Sequence, residues 1–349
     1  MADCMAWRRR TALAAGVTFA GPALAQNRPP PQQPVRAQQG SPAAPAQAES
    51  NQVVIGRDGW LFGAWENVRQ VDLRKTREVC RYISQSVQVI QEAGIKVALC
   101  VTPMKARVYR EFLPADFQFS TEADQRYGVV MEELQRSRAL MIDHATQFAQ
   151  LRRSQRDALF FKADIHWTPI GGAAAATELG KLVQSQGGLP APTRPGTRLG
   201  DYISMRYERN DLVEMLPADQ QRRFPFENFR VRRIVGAPQG VGLIDEDNAD
   251  VVVAGNSFMQ TGFGFPPSFS NQINRPVSLA VKVGRFGPYN TLLDYLRSQM
   301  FRQTRPALIV WHFLEGNMEV MPDHTGYWGS AAMSARSFSD ELRRLVRRA

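Results

Sequence analysis

Over residues 74–91 apolar side chains recur three and four positions apart, with Val79, Ile83, Val87 and Ile90 on one face and Gly94 placed to end the run. That spacing predicts a helix with one buried stripe. Residues 96–101 follow as an unbroken apolar run of the kind that forms a strand covered on both faces. The alternation continues with helical periodicity over 123–137, a short strand at 139–142 ending in Asp143-His144, and a helix over 146–152. An apolar run at 158–161 then reads as a strand, and an Ala-rich helix over 170–186 has Thr168 as its N-cap and Pro169 as its first residue. Before all of these, residues 53–62 hold a Gly-Arg-Asp-Gly turn feeding an apolar edge. After them, 251–254, 277–283 and 307–313 read as strands, 261–267 as a loop, and 292–301 and 334–348 as helices. Residues 187–249 break the rhythm, being rich in Gly, Pro and Arg with short mixed patches such as 229–235; they read as an insertion or a small β lobe before the strand at 251. The whole pattern is α/β, with a mainly parallel sheet and helices on both faces.

The N-terminus stands apart. Arg8, Arg9 and Arg10 precede a short apolar stretch and the small-x-small sequence Ala23-Leu24-Ala25, so residues 1–25 read as an export signal of the general or the twin-arginine kind. Residues 26–51 are Pro, Gln and Ala with almost no large apolar side chain, a composition suited to a tether. Folded sequence is expected over 52–349. No later segment is apolar for long enough to span a bilayer, so the exported chain is expected to be soluble or held by its N-terminus in the periplasm.

The 349 residues are 44% hydrophobic, ample for one large core. The formal charge is +10; the signal carries three Arg against one Asp, or +2, leaving +8 beyond it. A basic exported chain suits an anionic polymer or a membrane surface, although Arg222, Arg223, Arg230, Arg232 and Arg233 also fit a solvated basic face. Nucleic acid is disfavoured by export and by the lack of any finger, helix-turn-helix or RNA-binding signature. Four scattered histidines supply no metal-ligand spacing, and Gly-rich phosphate loops are absent, so no metal and no cofactor are expected. Beyond the signal, Cys80 and Cys100 fit either a disulfide or two buried thiols.

In a parallel α/β sheet, ligands bind at the carboxyl ends of the strands. Lys105, Asp143, Asp164 with His166, Ser257 and Glu315 all follow an expected strand end, so they can share one rim. A Ser hydroxyl needs a base, and the base needs a carboxylate to fix its tautomer and balance its charge. Asp164-Ile165-His166 offers both from one turn, at the start of a helix whose dipole favours neutral imidazole. Ser257 follows Gly255-Asn256 after a buried strand, where its backbone N–H can help form an oxyanion hole. The plainer alternatives are a capping turn for Asp164 and His166 and an ordinary N-cap for Ser257. His144 beside Asp143 is the second-ranked base. The aromatics of 263–269 read as core, while Trp167 is the aromatic placed at the site.

Asp164-Ile165-His166-Trp167-Thr168-Pro169, followed by Gly171, together with Gly255-Asn256-Ser257-Phe258, resembles the SGNH-hydrolase-like polysaccharide O-acetyltransferases of the alginate AlgX/AlgJ type. In that family Asp-x-His-Trp precedes Gly-Thr-Ser, the reverse of ordinary SGNH esterases. Looser matches are Gly59-Trp60-Leu61-Phe62, Pro103 with Lys105 and Tyr109, Asp211-Leu212 with Leu216-Pro217, Gly287-Pro288, and Ile309-Val310-Trp311, so the resemblance spans about 53–318. Asn256 stands where the family has Thr, and Trp311-His312-Phe313-Leu314-Glu315-Gly316 departs from the family's Trp-Glu and Pro-Glu-Arg, which bears on the acceptor. The resemblance implies a periplasmic transferase in which Ser257 takes an acetyl group, His166 acts as base and Asp164 orients it. It also implies an exopolysaccharide acceptor, anionic or neutral, a membrane acyltransferase supplying acetyl groups, and a polysaccharide secretion complex. Trp167, Lys105, Arg107, Tyr109 and Arg285 are the candidate substrate contacts. An acetylesterase with the same triad, or a silent polysaccharide-binding subunit, fits the residues as well.

Overall fold

A computed structural model describes residues 52–192, 194–208, 210–235 and 249–347; the expected signal and tether lie outside the described residues. Nine strands are present among them: β1 (Val53–Ile55), β2 (Leu61–Gly63), β3 (Lys96–Thr102), β4 (Leu140–Met141), β5 (Arg198–Tyr207), β6 (Glu227–Val235), β7 (Val251–Gly255), β8 (Ser278–Val281) and β9 (Leu308–Leu314). Five of them form one sheet in the order β4-β3-β9-β7-β8, every pair parallel. β1 and β2 make a small hairpin, and β5 and β6 make a separate antiparallel ribbon.

The sheet's period-two alternation sorts its side chains into two cores. Ala98 and Cys100 of β3, Val251 and Val253 of β7, and Leu308 and Val310 of β9 face one layer, which holds the helices Pro169–Gln186 and Phe265–Ile273. Val97, Leu99 and Val101, Val252 and Ala254, and Ile309, Trp311 and Phe313 face the other, against helices Leu73–Glu92, Thr121–Gln135, Gly287–Arg297 and Ala335–Arg347. The stripe Val79, Ile83, Val87 and Ile90 is fully buried, worth about 2 kcal/mol per side chain. Asp72 caps that helix by accepting from the Lys75 N–H, and Gly94, at φ +83°, turns the chain into β3. No described helix is long and apolar enough to cross a membrane.

Cys80 and Cys100 are both buried free thiols. They belong to cores on opposite faces of the sheet, so no rotamer brings the two sulfurs together.

Two expected elements differ. The run 158–161 joins no sheet: Phe160 bridges only its own return leg at Trp167, with Phe161 N–H donating to the His166 carbonyl and Thr168 N–H to that of Leu159. An apolar run buries equally well as a tight hairpin, and periodicity does not separate the two. The expected loop 261–267 is instead the entry to the helix Phe265–Ile273, whose first turn accepts Pro266 and Pro267 because their missing N–H groups have no helical partner there.

The helix Pro169–Gln186 sits hard against its neighbours through glycine. A Cβ at Gly172 would lie 2.0 Å from the Phe263 carbonyl oxygen, whereas one at Gly128, inside helix Thr121–Gln135, meets nothing within 4 Å. Gly172→Ala is expected to destabilise the chain by about 1–3 kcal/mol. Gly128→Ala is expected to stabilise it by about 0.5–1 kcal/mol. Urea unfolding of both variants checks the contrast.

Candidate active site

Ser257 follows the carboxyl end of β7, and Asn256 shapes the turn by accepting the Phe258 N–H at 3.1 Å, a bond a Thr hydroxyl in its place could also make. Gly255 is needed there, since a Cβ would fall 2.9 Å from the Cβ of His312 on β9. The Ser257 backbone N–H makes no hydrogen bond to the described residues and is available to an oxyanion. The hairpin 158–168 comes over the same edge of the sheet. It sets His166 Nε2 2.8 Å from Ser257 Oγ and His166 Nδ1 2.6 Å from Asp164 Oδ1. An ionised carboxylate only accepts, so Nδ1 carries the proton and Nε2 is left to accept from the serine hydroxyl.

Asp164 is fully buried and heavily bonded. Besides the imidazole, Oδ1 accepts the His166 backbone N–H at 2.8 Å, and Oδ2 accepts the Asp211 N–H at 2.8 Å. Burial pushes its pKa up, but the His166 ring and these two backbone donors outweigh it and hold the carboxyl below the usual range. Phe263 stacks on the imidazole at 4.3 Å and Phe258 leans on it at 4.7 Å, which fixes the ring plane.

Asp211 is the participant that sequence reading left without a role. It lies in the inserted lobe, at the start of the short helix Asp211–Glu214, and its Oδ2 is 3.7 Å from His166 Nδ1. Leu212, Val213 and Leu216 of this lobe pack with Leu61 and Ala163, and Glu227 of β6 accepts the Ala163 N–H at 3.0 Å. The motif Asp-Leu near Leu-Pro was visible, but nothing local tied it to His166. Asp164, His166 and Asp211 are close enough to be metal ligands, yet Asp164 already spends both oxygens on protein donors and His166 spends both ring nitrogens on Asp164 and Ser257. That is the donor set of an acid–base pair, not of a cation site.

Of the expected substrate contacts, four turn inward. Trp167 is fully buried, its indole N–H donating to the Phe258 carbonyl, so it supports the nucleophile's turn and offers no face to a ligand. Tyr109 is buried against Trp60, and its hydroxyl accepts the Leu159 N–H at 2.7 Å. Arg107 pairs with the buried Glu315 at 2.7 Å. Lys105 is buried, donating to the carbonyls of Lys162 and Asp164 at 2.8 Å each, and so clamps the hairpin that carries His166. Burial lowers the Lys105 pKa to about 8, and it raises that of the nearby Glu66 to about 6. A cation in sequence looks the same whether water or a carbonyl receives it. Arg285 alone is exposed, donating to the Thr325, Gly326 and Tyr327 carbonyls.

Glu315 is likewise structural: it accepts the Met104 N–H, and Arg107 and Arg126 overcome its burial and hold its pKa low. The rival base His144 is buried in the core, with Nδ1 2.7 Å from Gln147 and Nε2 beside the Cys100 sulfur, while Asp143 caps the helix that follows. Beside the nucleophile opens a cavity of about 350 Å³, flanked by Asn256 and Phe258 and walled by Trp65, Leu314, Trp328 and Arg285. Its size suits a small ligand.

The family profile described as "SGNH hydrolase-like domain, acetyltransferase AlgX" matches residues 53–315, three quarters of the chain. The chain belongs to that family. It is 27% identical to the protein named "Probable alginate O-acetylase AlgJ" of Pseudomonas aeruginosa over 287 residues, covering 78% of this chain and 71% of that protein. It is 23% identical to the "Alginate biosynthesis protein AlgX" of the same organism, covering 87% of this chain and 66% of the relative. The O-acetyltransferase domain of Pseudomonas putida AlgJ superposes with a TM-score of 0.66 at 25% identity, over 84% of this chain and 98% of that domain. AlgX of Pseudomonas aeruginosa shares the fold, with a TM-score of 0.59 at 18% identity over 85% and 68% of the two chains. The chain is thus an SGNH-hydrolase-like acetyltransferase by family.

His312 is fully buried, bonded through Nε2 to Thr102 Oγ1 at 2.9 Å and without a partner at Nδ1, and burial pushes its pKa down to about 3. A histidine held neutral binds its proton less readily than the unfolded chain does, so stability falls as pH drops below about 6.5 and continues to fall towards about 3. His312→Gln is expected to flatten the acid limb by up to about 1.4 kcal/mol per pH unit. Urea unfolding from pH 7 to 4 reads this, and parallel curves for the two proteins would contradict it.

Proposed function

We propose that this chain is an exported, periplasmic O-acetyltransferase that carries an acetyl group on Ser257 to a hydroxyl of an exopolysaccharide. The observation that carries the reading is the unbroken series Ser257 Oγ to His166 Nε2 at 2.8 Å and His166 Nδ1 to Asp164 Oδ1 at 2.6 Å. Family membership adds the reaction class, and the alginate named for the relatives adds the kind of acceptor.

Ser257 Oγ attacks the carbonyl carbon of an acetyl ester as its proton passes to His166 Nε2, and Asp164 balances the imidazolium. The tetrahedral oxyanion lies by the Ser257 N–H. Collapse breaks the bond to the donor oxygen, which leaves with the proton from His166, and acetyl-Ser257 remains. A sugar hydroxyl then gives its proton to the same nitrogen and attacks the acetyl carbon; collapse returns the proton to Ser257 Oγ and releases the acetylated sugar. Asp211 Oδ2, 3.7 Å from Nδ1, adds a second carboxylate beside the ring. No cofactor takes part. Acetyl-CoA is a cytoplasmic donor, so a membrane acyltransferase is the fitting source of acetyl groups, and a polysaccharide secretion complex is the fitting setting.

Release of a chromogenic acetyl ester, with and without an oligosaccharide acceptor, tests the reading. The wild type is expected to transfer acetyl to the acceptor, and Ser257→Ala to lose at least about a thousandfold in rate. Activity unchanged in Ser257→Ala sinks the series as catalytic machinery, and hydrolysis without transfer to any acceptor favours an esterase. A wild type that binds polymer without turnover is a silent binding subunit. Asp211→Asn is expected to lower kcat about tenfold, roughly 1.4 kcal/mol, with KM unchanged; steady-state kinetics check it.

A further inference from the structure

The ribbon of β5 and β6 has two unlike faces. Inward, Tyr207 and Phe229 pack on Phe161, at 4.0 and 5.5 Å between ring centres, and Tyr207 also meets Phe263, the ring that stacks on His166. Outward, the cross-strand register sets Tyr202 opposite Arg232, Ser204 opposite Arg230, and Arg206 opposite Asn228. Side chains two apart on a strand and directly opposite across it share a face, so these six form one surface, on which the Asp157 carboxylate, from outside the ribbon, meets Arg230.

That surface combines exposed arginines with exposed rings. Tyr202 is 50% exposed and lies under two guanidiniums, Arg230 at 5.0 Å and Arg232 at 6.0 Å. Phe226, 47% exposed, carries Arg206 at 4.9 Å. Two of the cations have other duties: Arg230 pairs with Asp157 and Arg232 donates to the carbonyls of Leu199 and Gly200. Arg206 forms no ion pair with the described residues. Large rings left half in water beside a free cation do not serve the core.

We infer that the outward face of this ribbon is a docking surface for an anionic polysaccharide, a uronate chain whose carboxylates meet Arg206 while its sugar rings lie on Tyr202 and Phe226. The chemistry matches on both counts. A planar guanidinium takes a carboxylate through two parallel N–H donors, and an aromatic face takes the C–H side of a pyranose ring. The alternating carboxylates and apolar ring faces of a polyuronate present both at once; a neutral glucan lacks the first, and a membrane surface lacks the repeat. The inward face of the same ribbon rests on Phe161 and Phe263, and Phe263 stacks on His166, so the surface belongs to the lobe that braces the base. The inference rests on the proposed polysaccharide acceptor and adds where the acceptor is held and why it is anionic.

The test is binding, read apart from turnover, with a size-defined oligouronate and a neutral oligoglucan of equal length as probes. Tyr202→Ala/Arg206→Gln avoids the arginines that brace the ribbon. The wild type is expected to bind the oligouronate and not the glucan, with affinity falling as salt rises, and the double variant to bind at least tenfold more weakly. Hydrolysis of a small chromogenic ester by the double variant is expected to match the wild type, which shows that the site is folded. Equal oligouronate affinity in wild type and double variant overturns the inference, as does glucan binding as tight as oligouronate binding. Ser257→Ala is expected to bind like the wild type. If Ser257→Ala instead keeps full ester activity, the acetyl-serine reading fails while the binding result stands by itself.

Discussion

A carboxylate in the interior is tolerated only when its lone pairs are met, and the site is organised by how Asp164 is met. Its two oxygens take the imidazole and two backbone N–H groups, and its own carbonyl is held by the buried ammonium of Lys105. These partners come from three distant places in the chain: the hairpin itself, the loop after β3, and the inserted lobe at Asp211. Removing the imidazole or either backbone donor leaves a buried charge short of a partner, and removing Lys105 frees the hairpin that carries it. The fold therefore delivers the base and the inserted lobe to one point as a single requirement.

The parallel sheet makes that convergence possible. All five strands end on the same edge, and β9 lies between β3 and β7, where the connections diverge to opposite sides. Lys105 leaves β3, Ser257 leaves β7, and Glu315 leaves β9, where it ties Arg107 and Arg126 beneath the rim. The hairpin 158–168 needs no place in the sheet, because Lys105 and Tyr109 hold it from below while Phe263 covers His166 from the side.

Much of this architecture was legible in residue spacing. The stripe Val79 to Ile90 and the apolar runs at β3, β7 and β9 state their burial plainly, and Asp-x-His beside a strand-end serine suggested the juxtaposition found. The rest depends on partners that spacing does not reveal. Trp167 goes inward because its N–H finds the Phe258 carbonyl, and Lys105 because two carbonyls replace water. His144 sits beside an aspartate just as His166 nearly does, but its turn buries it against Cys100 with no serine in reach. Asp211 lies in a segment without periodicity, and the distance of 47 positions to Asp164 is closed only by the lobe's packing on Leu61 and Ala163.

The central claim is that Ser257 carries the acetyl group between donor and acceptor, and the most direct measurement is to catch it there. The wild-type protein would be mixed with an activated acetyl ester in the absence of acceptor, quenched in acid within the first turnovers, digested and examined by mass spectrometry. One acetyl group is expected on the peptide containing Ser257, lost on adding an acceptor oligosaccharide before the quench. Ester turnover with Ser257 unmodified and the acetyl group on another residue, or on none, would contradict it.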